Sequence, residues 1–375
     1  MLKQKLFSFW LSVALSIFFV FVLACQTKMT NAETPNDANI TAEPTPPTNK
    51  EPITIAAVGD IMLGSTFPNQ TRMPPNDGAD ILKEVTPILS RADIAFGNLE
   101  GPMLEGGVSS KCGSGSSKCF AFRVPTRYGK YLKDAGFDVL SLANNHAGDF
   151  GDYGRTSTRQ VLDGLGIKHA GSDKTQFAST ILNVKGKRVA FIGFAHNNLA
   201  LNVNDLETAR RVVADMNKKA DIVVVSFHGG AEGTDAQSVP NRTEIFFGES
   251  RGNLRAFSRT VIDAGADLVL GHGPHVLRGM EIYKDRLVVY SMGNFATYGW
   301  FGLKAETALT GIFEIKISAD GKFLSGKIYG GKQLGRGGPI LDKSGDSIRV
   351  LRGLSERDFG ASAPKITDDG TFSSR

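Results

Sequence analysis

The chain has 375 residues, with 43 Lys+Arg against 38 Asp+Glu for a formal charge of +5, and is 41% hydrophobic and 22% charged. That balance excludes a chain disordered throughout, a collagen-like repeat and a multi-span membrane protein. Three Cys and six His exclude a disulfide-stapled miniprotein and a Cys-rich zinc module, and the size suits one large domain or two ordinary ones.

At the N-terminus Lys3 and Lys5 precede an uncharged apolar run from Leu6 to Ala24, followed by Cys25. A basic start, an apolar stretch and a small residue before the break have the form of a secretory signal over residues 1–24. Val22-Leu23-Ala24-Cys25 resembles a bacterial lipobox, in which the Cys is acylated and becomes the mature N-terminus. A plain membrane anchor is the alternative, because the run is just long enough to span a bilayer. Either way the remainder is expected outside the cytoplasm, tied to a membrane and facing the periplasm or the cell exterior. Removing residues 1–24 takes away Lys3 and Lys5 and no acid, so the charge falls to +3. That is too weak to argue for nucleic acid. Residues 25–52 are rich in Thr, Pro, Asn and Glu and read as a disordered tether.

From Ile53 onward short β-branched runs alternate with segments of helical period, the mark of an α/β domain, here taken as 53–331. Strands are predicted at Ile53–Val58, Ile94–Gly97, Val139–Ala143, Val189–Phe194, Ile222–Phe227, Leu268–Gly271 and Leu287–Ser291. A helix is predicted over Leu254–Ala264, where Leu254, Phe257, Val261 and Ala264 share a face. Gly311–Ile317 and Phe323–Tyr329 lack a helix between them and read as an antiparallel meander, and residues 332–375 read as a Gly/Ser-rich C-terminal extension. Cys112 and Cys119 bracket a Gly/Ser loop whose ends are free to meet, and in an oxidising compartment they are expected to form a disulfide.

Nearly every early strand runs into a polar cluster. Val58 leads to Gly59-Asp60, Phe96 to Gly97-Asn98-Leu99-Glu100, and Leu142 to Ala143-Asn144-Asn145-His146. Phe227 leads to His228-Gly229-Gly230, Leu270 to Gly271-His272-Gly273-Pro274-His275, and Tyr290 to Ser291-Met292-Gly293-Asn294. In open α/β sheets ligands bind beyond the carboxyl ends of the strands, so these clusters would converge. A single Gly-Asp or Gly-Asn at a strand end is ordinary turn chemistry, and the argument rests on the joint pattern. Four of the six histidines fall in such clusters, whereas His169 reads as structural and His196 is left undecided. Asp, Glu, Asn and His suit Mn, Fe, Zn or Mg rather than a thiolate-loving metal. One or two such ions would polarise an ester and activate water, with a nearby His protonating the leaving group.

Five of these motifs, in this order, resemble the CapA family of capsule-biosynthesis proteins, associated with poly-γ-glutamate, which is similar in turn to the calcineurin-like metallophosphoesterases. They are Val58-Gly59-Asp60-Ile61-Met62-Leu63-Gly64, Gly97-Asn98-Leu99-Glu100, Leu142-Ala143-Asn144-Asn145-His146, Gly271-His272-Gly273-Pro274-His275-Val276-Leu277 and Tyr290-Ser291-Met292-Gly293-Asn294-Phe295. The resemblance covers roughly Ile53 to Phe295 and implies a four-layer αββα sandwich. It implies metal ligands at Asp60, Asn145, His228, His272 and His275, with Asn98 or Glu100 in the place of a bridging carboxylate and His146 as general acid. Two positions depart from the metallophosphoesterase pattern: Met62 stands where those enzymes carry a His ligand, and Asn98 where they carry Asp. Arg123 and Arg278 are candidate contacts for an anionic substrate.

The leading expectation is a surface-anchored, metal-binding hydrolase in the synthesis, export or anchoring of poly-γ-glutamate or a similar capsular polymer. Its partners would be that anionic extracellular polymer and proteins of capsule synthesis or export. An exported two-metal phosphoesterase and a non-catalytic polymer- or partner-binding module are the alternatives.

Overall fold

The computed structural model describes residues 51–109, 111–112 and 120–375. The expected signal (1–24), the lipidation site Cys25, nearly all of the tether and Cys119 lie outside the described residues. Among the described residues no helix is long and apolar enough to cross a membrane.

Within those residues nineteen strands follow one another along the chain. The first eight are β1 (Ile53–Met62), β2 (Ile94–Leu99), β3 (Val139–Ser141), β4 (Lys168–Ala170), β5 (Ser179–Val184), β6 (Lys187–Ala195), β7 (Leu201–Asn202) and β8 (Ile222–His228). Then come β9 (Glu244–Phe246), β10 (Glu249–Gly252), β11 (Leu268–His272), β12 (Leu277–Tyr283), β13 (Arg286–Met292) and β14 (Asn294–Thr297). The last are β15 (Leu309–Ile317), β16 (Phe323–Gln333), β17 (Pro339–Leu341), β18 (Lys365–Ile366) and β19 (Thr371–Ser373). The helices are α1 (Thr86–Leu89), α2 (Gly129–Asp134), α3 (Gly151–Gly164), α4 (Leu206–Asn217), α5 (Leu254–Asp263) and α6 (Asp346–Phe359).

Two large sheets result. The first runs β18-β19-β16-β15-β1-β2-β3-β4, with β14 beside β1 and β17 beside β16; the second runs β12-β13-β11-β8-β6-β5, with β7 beside β6. Strand alternation explains how they stack. Ile53, Ile55 and Ala57 of β1 share a core with Phe191 of β6, Val224 of β8 and Leu270 of β11, so these faces meet between the sheets. The intervening residues Ala56 and Val58 pack instead with Leu89, Leu132 and Leu162 of α1, α2 and α3. On the second sheet Ala190, Ile192, Val223 and Val225 pack with Ala209 and Val213 of α4 and with Phe257 and Val261 of α5. The four layers αββα are therefore written in the period-two pattern, each buried Ile, Val, Leu or Phe contributing about 1.5–3 kcal/mol.

All seven predicted strands are present, and β15 pairs antiparallel with β16 as the meander. β1 runs on to Met62 through an irregularity between Asp60 and Ile61, and β3 stops at Ser141 so that the chain turns before Asn144. α5 begins at an Asn253 cap whose side chain accepts from the Ala256 amide, and buries Leu254, Phe257 and Val261. The 332–375 stretch carries elements of its own: β17 and β19 pair with β16, and α6 buries Ile348, Leu351 and Leu354 in the core between the sheets.

Candidate metal centre

Strand register sets the site. Asp60 is the lateral partner of Asn98 on the first sheet, and His228 that of His272 on the second. Facing sheets thus present two halves of one cluster. Gly59 is needed because an added Cβ would lie 1.9 Å from the carbonyl oxygen of Gly293, to which Asp60 donates its amide at 2.9 Å. After β11 the chain turns through Gly273 at φ 111° and then His275 at φ 59°. A left-handed histidine is uncommon, and such residues gather at functional sites.

The turn brings His275 Nδ1 to 3.2 Å from Asp60 Oδ2 and its Nε2 to 3.6 Å from Glu100 Oε1. His272 Nδ1 lies 3.5 Å from Asp60 Oδ1, and His228 Nε2 lies 3.8 Å from Glu100 Oε1. Asp60, Glu100 and His275, all buried, each offer one donor atom within 4.8 Å of the others, a spacing that suits a metal ion. Asn98 turns its amide nitrogen inward, donating to Asp60 Oδ1 at 2.8 Å, while its oxygen accepts from Asn144 at 3.1 Å. Glu100, not Asn98, therefore points an oxygen at the cluster.

Burial and the neighbouring charges together set the basicities. It pushes the Glu100 carboxyl far above its usual range, against the pull of His275 and with the push of Asp60 and Glu232. Burial also raises Asp60, but the nearby His272 and His275 imidazoles outweigh it and hold that carboxyl well below normal. For His275 burial is outweighed by Glu100 and Asp60, and the imidazole is lifted to about 10. His228, by contrast, is pushed well down by burial.

Both Glu100 oxygens, Asn145 Oδ1, His228 Nε2 and both His272 nitrogens are buried without a hydrogen-bond partner. Leaving one such group unmatched costs about 1–3 kcal/mol, so the five on Glu100, His228 and His272, whose residues meet at one spot, call for an occupant. Their oxygen and imidazole chemistry fits a divalent cation. Met62 is fully buried and adds no hard donor.

His146 stands beside this set. Its Nδ1 donates to Asp149 Oδ2 at 2.8 Å, its ring stacks on Phe122 at 4.1 Å, and burial lowers its basicity against the opposing charge of Asp149. Lys111 lies 3.2 Å from Asp149 Oδ1 and donates to the Asn145 carbonyl oxygen at 3.3 Å. Its neighbour Cys112 is disulfide-bonded, and Cys119, the expected partner, is outside the described residues.

Two expected anion contacts are otherwise engaged. Arg278 is fully buried and forks onto Glu244 at 2.8 and 2.9 Å, donating also to the carbonyl oxygens of Ala231 and Ala236. It pins that loop and presents no donor to solvent. Arg123 donates to Thr66 and to the Gly107 carbonyl oxygen, holding two loops together. His169 pairs with Asp163 at 3.3 Å, as a structural residue would.

Sequence reasoning missed several contributors. His196 donates toward the His228 carbonyl oxygen at 3.4 Å, and burial and Arg251 depress it to about 4. Asn294 accepts from His275 Nδ1 at 3.0 Å. Asn144 and Asn294 lie inside the strand-end motifs and are legible there; Asp149, Lys111 and Glu232 fall in loops with no periodic signal.

The family described as "Bacterial capsule synthesis protein PGA_cap" matches residues 54–298. The "Capsule biosynthesis protein CapA" of Bacillus anthracis is 31% identical over 269 residues, covering 67% of this chain and 61% of that protein. The "PGA biosynthesis protein CapA" of Bacillus subtilis is 31% identical over 283 residues, covering 71% and 68%. The match thus spans under two thirds of the first relative's length. Among solved structures, a hypothetical protein from Thermus thermophilus aligns with a TM-score of 0.47 at 18% identity, covering 74% of this chain and 98% of that one.

Proposed function

The chain belongs to the bacterial capsule synthesis protein family PGA_cap, and from that membership we propose that it is a surface-anchored, metal-dependent hydrolase acting on poly-γ-glutamate or a similar anionic capsular polymer. The observation that carries the reading is the set of buried, partnerless oxygen and nitrogen donors on Glu100, His228 and His272 around Asp60 and His275, with Asn145 offering a further partnerless oxygen. These residues would hold one or two divalent ions, Mn, Fe, Zn or Mg. Such an ion supplies polarisation of the scissile group and activation of a water.

The side chains supply the rest. Because the Asp149 carboxylate only accepts, His146 carries its proton on Nδ1 and keeps Nε2 for the reaction. Once Nε2 takes a proton from solvent, the imidazolium held by Asp149 would hand that proton to the leaving group and return to the neutral form. Phe122, stacked on that ring, keeps bulk water from one face. Lipidation at Cys25 would tie the domain to a membrane, with the 25–52 tether setting its reach.

Elemental analysis of the purified chain, followed by incubation of the Mn-, Zn- or Fe-loaded protein with poly-γ-glutamate, tests the enzymatic reading. Shortening of the polymer on size-exclusion chromatography, lost in His146→Ala, is the expected result; bound metal with unchanged polymer length would remove it and favour a binding role. Cys25→Ser should move the protein out of the membrane fraction.

The same donor set suits an exported phosphoesterase, the second reading. Met62 and Asn98, where such enzymes carry His and Asp, weigh against it. Hydrolysis of an aryl phosphate would support it.

A further inference from the structure

The loop after β14 brings two guanidinium groups together without a carboxylate. Arg72 lies on the indole of Trp300, its Cζ 3.3 Å from the ring centroid. Arg336 lies over Tyr298 at 5.5 Å and donates to the Thr71 carbonyl oxygen at 2.6 Å. Neither forms an ion pair among the described residues. Burial lowers the Arg72 guanidinium from its usual value, and the charge of Arg336 lowers it further, so the two positive groups feel each other.

The arrangement is built into the backbone. Gly299, at φ 83°, lets the loop lie against Arg72, where an added Cβ would come within 3.2 Å of the arginine's own Cβ. Its amide donates to the Arg336 carbonyl oxygen at 2.7 Å. Gly337, at φ 120°, allows the Arg336 turn to close on β14, since a Cβ there would fall 2.4 Å from the Thr297 carbonyl oxygen. Like charges held this way repel unless an anion joins them.

Arg72 is linked to the candidate metal centre through a run of aromatic rings. Trp300 lies 5.3 Å from Phe122, the ring stacked on His146, and the next residue, Phe301, lies 4.7 Å from His275. We infer that Arg72 and Arg336 form an anion subsite, which holds a carboxylate or phosphate of an extended substrate while another part of it reaches the metal centre. This rests on the hydrolase reading for what happens next door, not for the binding itself. Planar guanidinium forks match either anion, and stacking on Trp300 and Tyr298 pre-orients them.

Titration calorimetry at low salt on the full mature chain, with metal chelated, tests the subsite without turnover. The probes are a γ-linked glutamate oligomer and inorganic phosphate, each alone. Binding of the oligomer that falls at least tenfold in Arg336→Gln and in Arg72→Gln, and recovers in part in Arg72→Lys, is expected. Phosphate binding with the same dependence would support the subsite and identify phosphate as its anion. Equal affinity in wild type and both Gln variants, or no binding of either probe to wild type, would overturn it. Because the readout needs neither metal nor cleavage, failure of the hydrolase reading leaves this result standing. Arg336 is exposed, so Arg336→Gln keeps the test valid if Arg72→Gln misfolds.

Discussion

Asn98 donates to Asp60 Oδ1 at 2.8 Å, and the same nitrogen lies 3.3 Å from His228 Nδ1. Without metal, this amide links the two sheets' halves of the cluster. Asn98→Asp would remove the donor and set two carboxylates side by side. The metal-free variant should lose about 1–3 kcal/mol of stability. Added Mn or Zn should restore it, and raise the melting temperature more than in wild type. Thermal unfolding with and without metal checks this; an unchanged metal response would tell against a metal at Asp60.

Asp149 accepts from His146 Nδ1 and from the Phe122 amide, and so orients the imidazole. Asp149→Asn should leave metal content unchanged, since the ligands are intact, and slow turnover by about 10–100-fold. Elemental analysis alongside rate measurement separates the two effects.

Arg278 and Glu244 form a buried fork, so breaking one side strands the other charge. Arg278→Met should cost about 3–5 kcal/mol in denaturant unfolding, and the double change Arg278→Met with Glu244→Leu should cost less than the single one. If Arg278 served substrate instead, the single variant would keep its stability and lose affinity.

His169 is remote from the cluster, and burial lowers its basicity below the ordinary 6.5 despite the opposing Asp163. As pH falls through about 6.5 the unfolded chain takes up this proton before the folded one does, so stability is lost on acidification. Wild type should therefore lose more stability than His169→Gln between pH 7 and pH 5, measured by urea unfolding of metal-free protein. Parallel curves would contradict the lowered basicity.

The sandwich was legible because its inner strands are buried on both faces: Ile222–Phe227 and Leu268–Gly271 can be little else. Convergence of Asp60, His228, His272 and His275 followed from parallel strands ending together, a rule of topology. What stayed hidden depends on rotamers and loops. The inward turn of the Asn98 amide is set by Asn144, a contact across 46 residues. Arg278 reads from sequence as an anion contact because its fork partner, 34 positions earlier, is a short-hairpin residue that no periodicity marks. The C-terminal segment read as weakly patterned because its strands are two or three residues long, while α6 buries only one face.

β13 belongs to the second sheet and β14 to the first, and only Gly293, at φ 67°, separates them. The two sheets are thus stapled by a one-residue crossover at the very end where Asp60 and His275 meet. Parting them there would tear the Asp60–Gly293 hydrogen bond and uncover the site's own ligands. A ligand of the cluster would therefore approach past the segments around residues 107–109, 120–122 and 298–304 rather than by any yawning of the sandwich. Differences in what relatives of this chain accept should then be carried by the length and chemistry of those segments.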